Sequence, residues 1–405
     1  MLAFFLEFTP EQDAQIFDAV PAQAAVFLLR GPNPQSEPYV SKTANLRRRL
    51  SRLLGAAPEE HTRRLNLRHA IRTIEYTPTG SDFESTFLLY KLLRSAFPKT
   101  YADRLRMRFA PLIKLHLDNE YPRATITTRL GKRNGKNLYY GPFPSRSSAE
   151  KFANDSLDFF KMRRCVDDLH PDPGFPGCVY YEMKMCLAPC FKGCTDQEYR
   201  AEVDRVQAYF DTRGESLLRD FSAQRDQASA NLDFETAAAQ HARLDKLNPL
   251  TTHLPEIIRR IDHLHGLIIQ RAAAQDSVTL FRVMAGYICD PVNFLVQMSA
   301  EHASKSQSME SRLLETLACV RTENSHSTLE TMEHLGILKR WYYRSSKVGE
   351  IFFADDKGTF PMRRIVRGIA RVFRGEKPEN AALQEPLSAL AYQSQVAPGA
   401  KSDNS

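Results

Sequence analysis

Five of the seven cysteines fall within thirty residues, at Cys165, Cys178, Cys186, Cys190 and Cys194, and only Cys289 and Cys319 lie elsewhere. Twelve residues separate the first pair, seven the next, then three and three. A disulfide framework suits small secreted domains. This chain has 405 residues, enough for two to three buried cores. Its opening, MLAFFLEF, has a short apolar run, no basic start and an early acid, Glu7. That reads as part of the fold rather than an export signal, and a reducing cytoplasm is the expected location. Clustered thiolates in such a compartment point to a metal ion or an iron–sulfur cluster, since both need soft sulfur ligands converging on one point. Buried, inert cysteines are the bland alternative. Only the later half of the cluster has the close pair spacing of a zinc site, so zinc and an iron–sulfur centre both stay open at this level.

Charge and hydropathy narrow the partners. The chain is 42% hydrophobic and 25% charged, with a net charge of +7. That excess permits a polyanionic partner. No apolar run approaches the ~18 residues a membrane-spanning helix needs. Residues 41–74 hold nine Lys or Arg against two Glu. Such a run is either a solvated helix face or a phosphate-contacting surface.

Periodicity gives a mixed α and β chain. AAVFLL at 24–29 predicts a buried strand, with a partner strand at Pro38-Tyr39-Val40. From Asn45 to Leu54, Leu46, Leu50, Leu53 and Leu54 form one side of a helix and arginines the rest. Residues 83–95 read as a helix ended before Pro98. Strands follow at 112–117 and 123–129, a turn at 131–136 with Asn134 and Gly135 inside it, and a helix at 146–161. Helices are predicted at 196–212, 215–230 and 234–247, the last stopped by Pro249. Strands at 266–300 and helices at 308–340 complete the pattern. Basic and aromatic groups mix around the only tryptophan, Trp341, where Tyr342, Tyr343 and Arg344 are either base-stacking and phosphate-contacting groups or a half-buried core edge. Arg363, Arg364, Arg367, Arg371 and Arg374 follow helical spacing as a basic stripe.

Longer stretches carry a family resemblance. PLIKLHLDNEYPRATITTR, LYYGPFPSRSSAEKFANDSLDFFKMRRC and CVYYEMKMCLAPCFKGCTDQEYRAEV resemble the region around the cysteines of the UvrC excinuclease family, with C-L-x-P-C standing as Cys186-Leu187-Ala188-Pro189-Cys190. The resemblance implies a 4Fe–4S cluster on Cys165, Cys178, Cys186 and Cys190, with zinc as the alternative and Cys194 as a bystander. NLDFETAAAQHARLDKL, within 215–247, resembles the UVR motif. It implies two antiparallel helices that pair with a UvrB-like helicase subunit; a hairpin buried in the chain's own core is the alternative.

The amino-terminal region resembles an eroded GIY-YIG nuclease domain. The first motif stands as Ala25-Val26-Phe27 and the second as Tyr39-Val40-Ser41. The resemblance carries the catalytic tyrosine onto Tyr39, the phosphate-steering lysine onto Lys42 and the transition-state arginine onto Arg49. Those residue types suit phosphodiester hydrolysis: a phenol relays a proton from metal-bound water, and cations neutralise charge growing on phosphorus. The position of the metal-binding carboxylate falls on Leu89, which cannot ligate Mg²⁺. Glu84 lies five residues upstream, about 140° around the helix. Mg²⁺ or Mn²⁺ is expected only if that site is active; otherwise the metal ligands are unknown.

The expected organisation is α+β: a GIY-YIG-like domain at 1–105, a strand-hairpin and helix connector at 106–164, the cysteine cluster at 165–194 and a helical region with the UVR-like hairpin at 195–250. An α/β region at 251–377, a remnant of a nuclease domain, and a disordered tail at 378–405 would follow. The expected function is a UvrC-like nucleotide excision repair protein that binds DNA and incises it with an eroded site. A non-catalytic DNA-binding or assembly factor of the same descent is the first alternative. A zinc-stabilised protein that binds only other proteins is the second.

Overall fold

The computed structural model describes residues 2–33, 35–56, 65–132, 135–166, 169–297, 308–319 and 326–376. The expected tail and Asn134 of the expected turn lie outside them. Three antiparallel sheets and the helices between them make an α+β chain.

The first sheet is built from short alternating segments. It comprises β1 (Phe4–Glu7), β2 (Ala25–Arg30), β3 (Tyr39–Thr43) and β4 (Thr73–Pro78), in the order β1-β4-β2-β3, with α1 (Asp13–Ala19) and α2 (Leu46–Leu54) between strands. Alternation along β2 divides its side chains between two faces. Ala25, Phe27 and Leu29 pack on Leu46, Leu50, Leu53 and Leu54 of α2. The Asn45 side chain starts α2 by accepting from the Arg48 amide, which satisfies one of the orphan donors of the first turn. The strand–helix order matches the prediction, but β4 emerges from the end of the basic stretch, where the arginines hide the alternation of Ile74 and Tyr76.

The second unit holds α3 (Asp82–Ala96), α4 (Tyr101–Leu105), β5 (Leu112–Leu115), β6 (Ala124–Thr127), β7 (Leu138–Gly141), α5 (Arg146–Leu157), α6 (Val179–Glu182), α7 (Asp196–Asp211), α8 (Glu215–Ala230), α9 (Phe234–Thr252) and β8 (Arg259–Arg260). Its sheet runs β6-β5-β7-β8. Gly141 takes φ +152°, where a Cβ would meet the Leu112 side chain at 2.7 Å, so the close crossing of β5 and β7 excludes a side chain there. Helix α9 corrects the expectation that Pro249 stops it: the helix continues to Thr252 with Pro249 in its last turn. Leu244 and Leu247 are already anchored in the core before the proline is reached.

The third unit holds β9 (Gly266–Arg271), β10 (Ser277–Met284), β11 (Tyr287–Ile288), β12 (Val292–Leu295), α10 (Met309–Cys319), α11 (Thr328–Tyr342), β13 (Glu350–Phe353) and α12 (Met362–Arg374). One face of this sheet, with Leu267, Ile269, Val278 and Leu280, packs on Leu313, Ile365, Ile369 and Val372. The other face, with Ile268, Phe281 and Val283, joins the core of the second unit.

Helix α3 fastens the units together. Phe83 meets the Phe281 ring edge-on at 4.9 Å and the Trp341 ring at 5.1 Å, geometries that add to simple area burial. Just ahead of α3, Gly80 lies so close to the backbone of Arg271 that a Cβ would fall 2.1 Å from its oxygen.

Candidate functional site

The cysteine segment has little regular structure, as its Pro and Gly content predicts, and it is held by hydrogen bonds to its neighbours. Leu187 N–H donates to the Lys161 carbonyl at 3.0 Å and Asp172 N–H to the Cys190 carbonyl at 2.9 Å. Tyr199 of α7 donates to the Pro122 carbonyl at 2.8 Å and accepts from the Arg163 amide at 3.1 Å. Cys165 follows this anchored segment, Cys178 precedes α6, Cys186 sits in the next loop and Cys190 in the 3₁₀ turn Pro189–Phe191.

These four sulfurs share one neighbourhood. Cys186 is buried, which pushes its thiol up to about 11, and the nearby Cys165, Cys178 and Cys190 push the same way. Burial raises Cys190 first, with Cys178 and Cys165 adding to it. Cys194 sits differently: burial, Glu198 and Asp196 raise it, and Cys190 is the one cysteine that acts on it.

Two N–H groups aim at the sulfurs. Ala188, whose backbone is left-handed at φ +58°, donates its amide to Cys186 Sγ at 3.3 Å. Arg163, 1% exposed, donates from Nη1 to Cys165 Sγ at 3.4 Å and from Nε to the Tyr121 carbonyl at 2.8 Å. Donors to sulfur and a buried cation favour thiolates and tune a bound inorganic centre. Four soft sulfurs, one buried, with donors in place, therefore fit a thiolate-ligated group. Among the described residues no group of three or more His, Cys, Asp or Glu is close enough to hold a single metal ion.

The three residues carried over from the nuclease resemblance lie on β3 and α2. Arg49 donates from Nη2 to the Tyr39 hydroxyl at 2.8 Å, and the Tyr39 ring lies 6.0 Å from Phe27. Lys42 faces the other way. Three residues along the strand, it points across to α3, where Nζ meets Asp82 Oδ1 at 2.6 Å and Thr86 Oγ1 at 2.7 Å. Strand alternation thus divides the three between two faces of an edge strand. Leu89 is half-buried on α3. Glu84 accepts from the Gly80 amide at 2.7 Å, and burial pushes its carboxyl up to about 7. Asp82 and Thr86 are the partners that sequence reading missed; the Ser81-Asp82-Phe83-Glu84 helix start was their only visible signal.

Helices α8 and α9 form the expected antiparallel hairpin. Its base is core: Leu217, Phe221, Leu244 and Leu247 are buried. Its tip is exposed. Leu232, in left-handed backbone at φ +59°, is 72% exposed and Phe234 is 68% exposed. Asp233 between them caps α9 by accepting from the Thr236 amide at 3.1 Å. The tip therefore has a rigid, capped turn with two apolar side chains facing water.

Two other expectations resolve differently. Trp341 and Tyr342 are buried, Trp341 donating to the Val348 carbonyl at 3.1 Å, and Tyr343 donates to the Pro142 carbonyl at 3.0 Å. They form a core edge rather than a stacking platform, and Arg344 alone of the group is exposed. The stripe on α12 is also broken. Arg371 turns in to grip Glu350 with two hydrogen bonds, at 2.9 and 2.8 Å, leaving Arg363, Arg364 and Arg367 on the outside. Asp290 pairs with Lys91 of α3, and the Asp276 carbonyl accepts from the Val296 amide.

Fold and cysteine site together define the class. Residues 110–209, from β5 through most of α7, match the family described as the UvrC/Cho excinuclease middle domain. Beyond that stretch the chain is similar to UvrC proteins. It is 26% identical over 304 residues to the UvrABC system protein C of Rickettsia africae (strain ESF-5), covering 75% of this chain and 46% of the relative. The figures for Rickettsia felis are the same, and the protein of Rickettsia bellii is 25% identical over 298 residues, covering 73% of this chain and 45% of the relative. The chain thus spans about half the length of the curated relatives it matches. No solved structure matches it.

Proposed function

We propose that the chain is a DNA-binding component of nucleotide excision repair, organised around an inorganic centre on Cys165, Cys178, Cys186 and Cys190. What supports this reading is that Cys186 feels the charges of Cys165, Cys178 and Cys190, and that Arg163 and the Ala188 amide donate to Cys165 and Cys186, inside the stretch that matches the UvrC/Cho middle domain. A 4Fe–4S cluster is the centre we assign, supplying a rigid cross-link and a one-electron redox group when bound. The centre would tie the cysteine loop to the sheet and to α7, from which α8 and α9 project. The exposed Leu232 and Phe234 then serve as the docking tip for a UvrB-like helicase subunit.

The amino-terminal unit acts in this reading as a DNA-contacting module rather than a nuclease, because an aliphatic Leu89 stands where the resemblance calls for a metal-binding carboxylate. The Tyr39–Arg49 hydrogen bond favours the rival reading, in which a worn site still incises. The test uses the full chain and damaged duplex DNA with Mg²⁺ or Mn²⁺. Binding without nicking is expected, as is capture of a UvrB-like helicase that Phe234→Ala abolishes. Nicking that Tyr39→Phe removes would establish the enzyme instead, and absence of DNA binding would refute the proposal.

A further inference from the structure

Two cations pair with one carboxylate where α3 meets α11, and a third cation lines the same cleft. Asp82 receives Lys42 on Oδ1 at 2.6 Å and Arg344 on Oδ2 at 2.6 Å. Thr86 adds its hydroxyl to Lys42. Arg340, one helical turn before Arg344, lines the same small cleft with Asp82, Thr86 and Trp341. Lys42 and Thr86 come from the amino-terminal part of the chain, and Arg340 and Arg344 from the carboxy-terminal part. A single carboxylate leaves this cluster with surplus positive charge.

Trp341 is buried between the arginines and packs on Phe83, the residue after Asp82. The carboxylate itself is free to leave. Asp82 has a 60% exposed side chain, and the α3 cap does not depend on it, because Ser81 is the residue that accepts the Glu84 amide. Two carboxylate oxygens, each on a separate cation, occupy the positions that two non-bridging phosphate oxygens would take.

We propose that this cleft is a phosphodiester site, built by Lys42, Thr86, Arg340 and Arg344, in which Asp82 stands in for a nucleic-acid backbone phosphate until the strand arrives. It rests on the DNA-binding reading above and adds to it a location and a gate. Neutralising one phosphate contributes a salt-dependent increment that disappears with the cation.

The test is fluorescence anisotropy of the full chain with a labelled duplex across a salt series, with thermal unfolding to check each variant. Combined Arg340→Ala and Arg344→Ala is expected to weaken binding about tenfold and to lower the salt slope by about one. Asp82→Asn is expected to tighten binding several-fold, since it removes the resident anion. Inorganic phosphate, titrated at constant ionic strength, should compete only weakly with the duplex. Native binding that neither variant changes, weaker binding by Asp82→Asn, or tight phosphate binding with unchanged DNA affinity in the double variant would overturn this inference alone. No DNA binding by the native chain would overturn the reading beneath it as well.

Discussion

Arg163 places a buried guanidinium 3.4 Å from the sulfur of Cys165 while its Nε holds the Tyr121 carbonyl. In the proposed centre, a cation beside Cys165 would offset the negative charge that four thiolates bring. Arg163→Met is therefore expected to fold, by circular dichroism, and to lose bound iron faster in air than the native chain. Equal iron retention would show that the guanidinium serves the Tyr121 loop alone.

Glu84 gives the chain an alkaline weakness. Burial raises its carboxyl from 4.5 to about 7, opposed only by the Gly80 amide. The folded state keeps its proton after the unfolded state has released it, so this contribution is full below pH 4.5 and is lost as pH rises through 7. Glu84→Gln keeps an acceptor for Gly80 without the charge. We expect it to stabilise the chain at pH 8 by about 1–3 kcal/mol in urea unfolding and to change little at pH 4.5.

His334 acts in the opposite direction. It is 1% exposed, accepts the Ile288 amide on Nδ1 at 3.0 Å, and is pushed down to about 3 by burial, with Arg94 adding to the effect. Its contribution is full above pH 6.5 and is lost as pH falls toward 3, with a slope of up to about 1.4 kcal/mol per pH unit. His116, lowered to about 4 by burial and then Lys114, falls off in the same window. Chemical denaturation at pH 7, 6 and 5 should show the decline, and His116→Gln should make it shallower.

Glu333 is a buried acid at the contact of α3, α4 and α11. It is 1% exposed, accepts from Tyr90 at 2.6 Å and from Tyr101, and lies 3.8 Å from Arg94. Removing one member of such a group strands the others without partners. Glu333→Ala is expected to cost about 3 kcal/mol in urea unfolding, and Glu333→Gln distinctly less.

Local patterns made much of this molecule readable. The leucines of α2 dictate a single face, the unbroken apolar run of β2 marks a strand buried on both faces, and the cysteine spacing picks out the candidate site. Long-range choices were hidden. Nothing near Arg163 signals that its charge is buried, because that depends on Tyr121 and Tyr199 arriving from elsewhere. Trp341 and Tyr342 lie among basic residues and so read equally as a surface, until Phe83 of α3 packs on Trp341. The β3 period does place Tyr39 and Lys42 on opposite faces, but Asp82 and Thr86 as partners of the lysine require the fold.

Cys165, Cys178, Cys186 and Cys190 are proposed to hold one iron–sulfur centre, and the DNA-repair reading rests on it. Anaerobic purification with iron, sulfide and zinc analysis tests it most directly. The expected product is a brown chain with iron and sulfide in 4Fe–4S proportion, lost on Cys186→Ser and retained on Cys194→Ser. A colourless chain carrying stoichiometric zinc, or a centre that depends on Cys194 instead, would refute it.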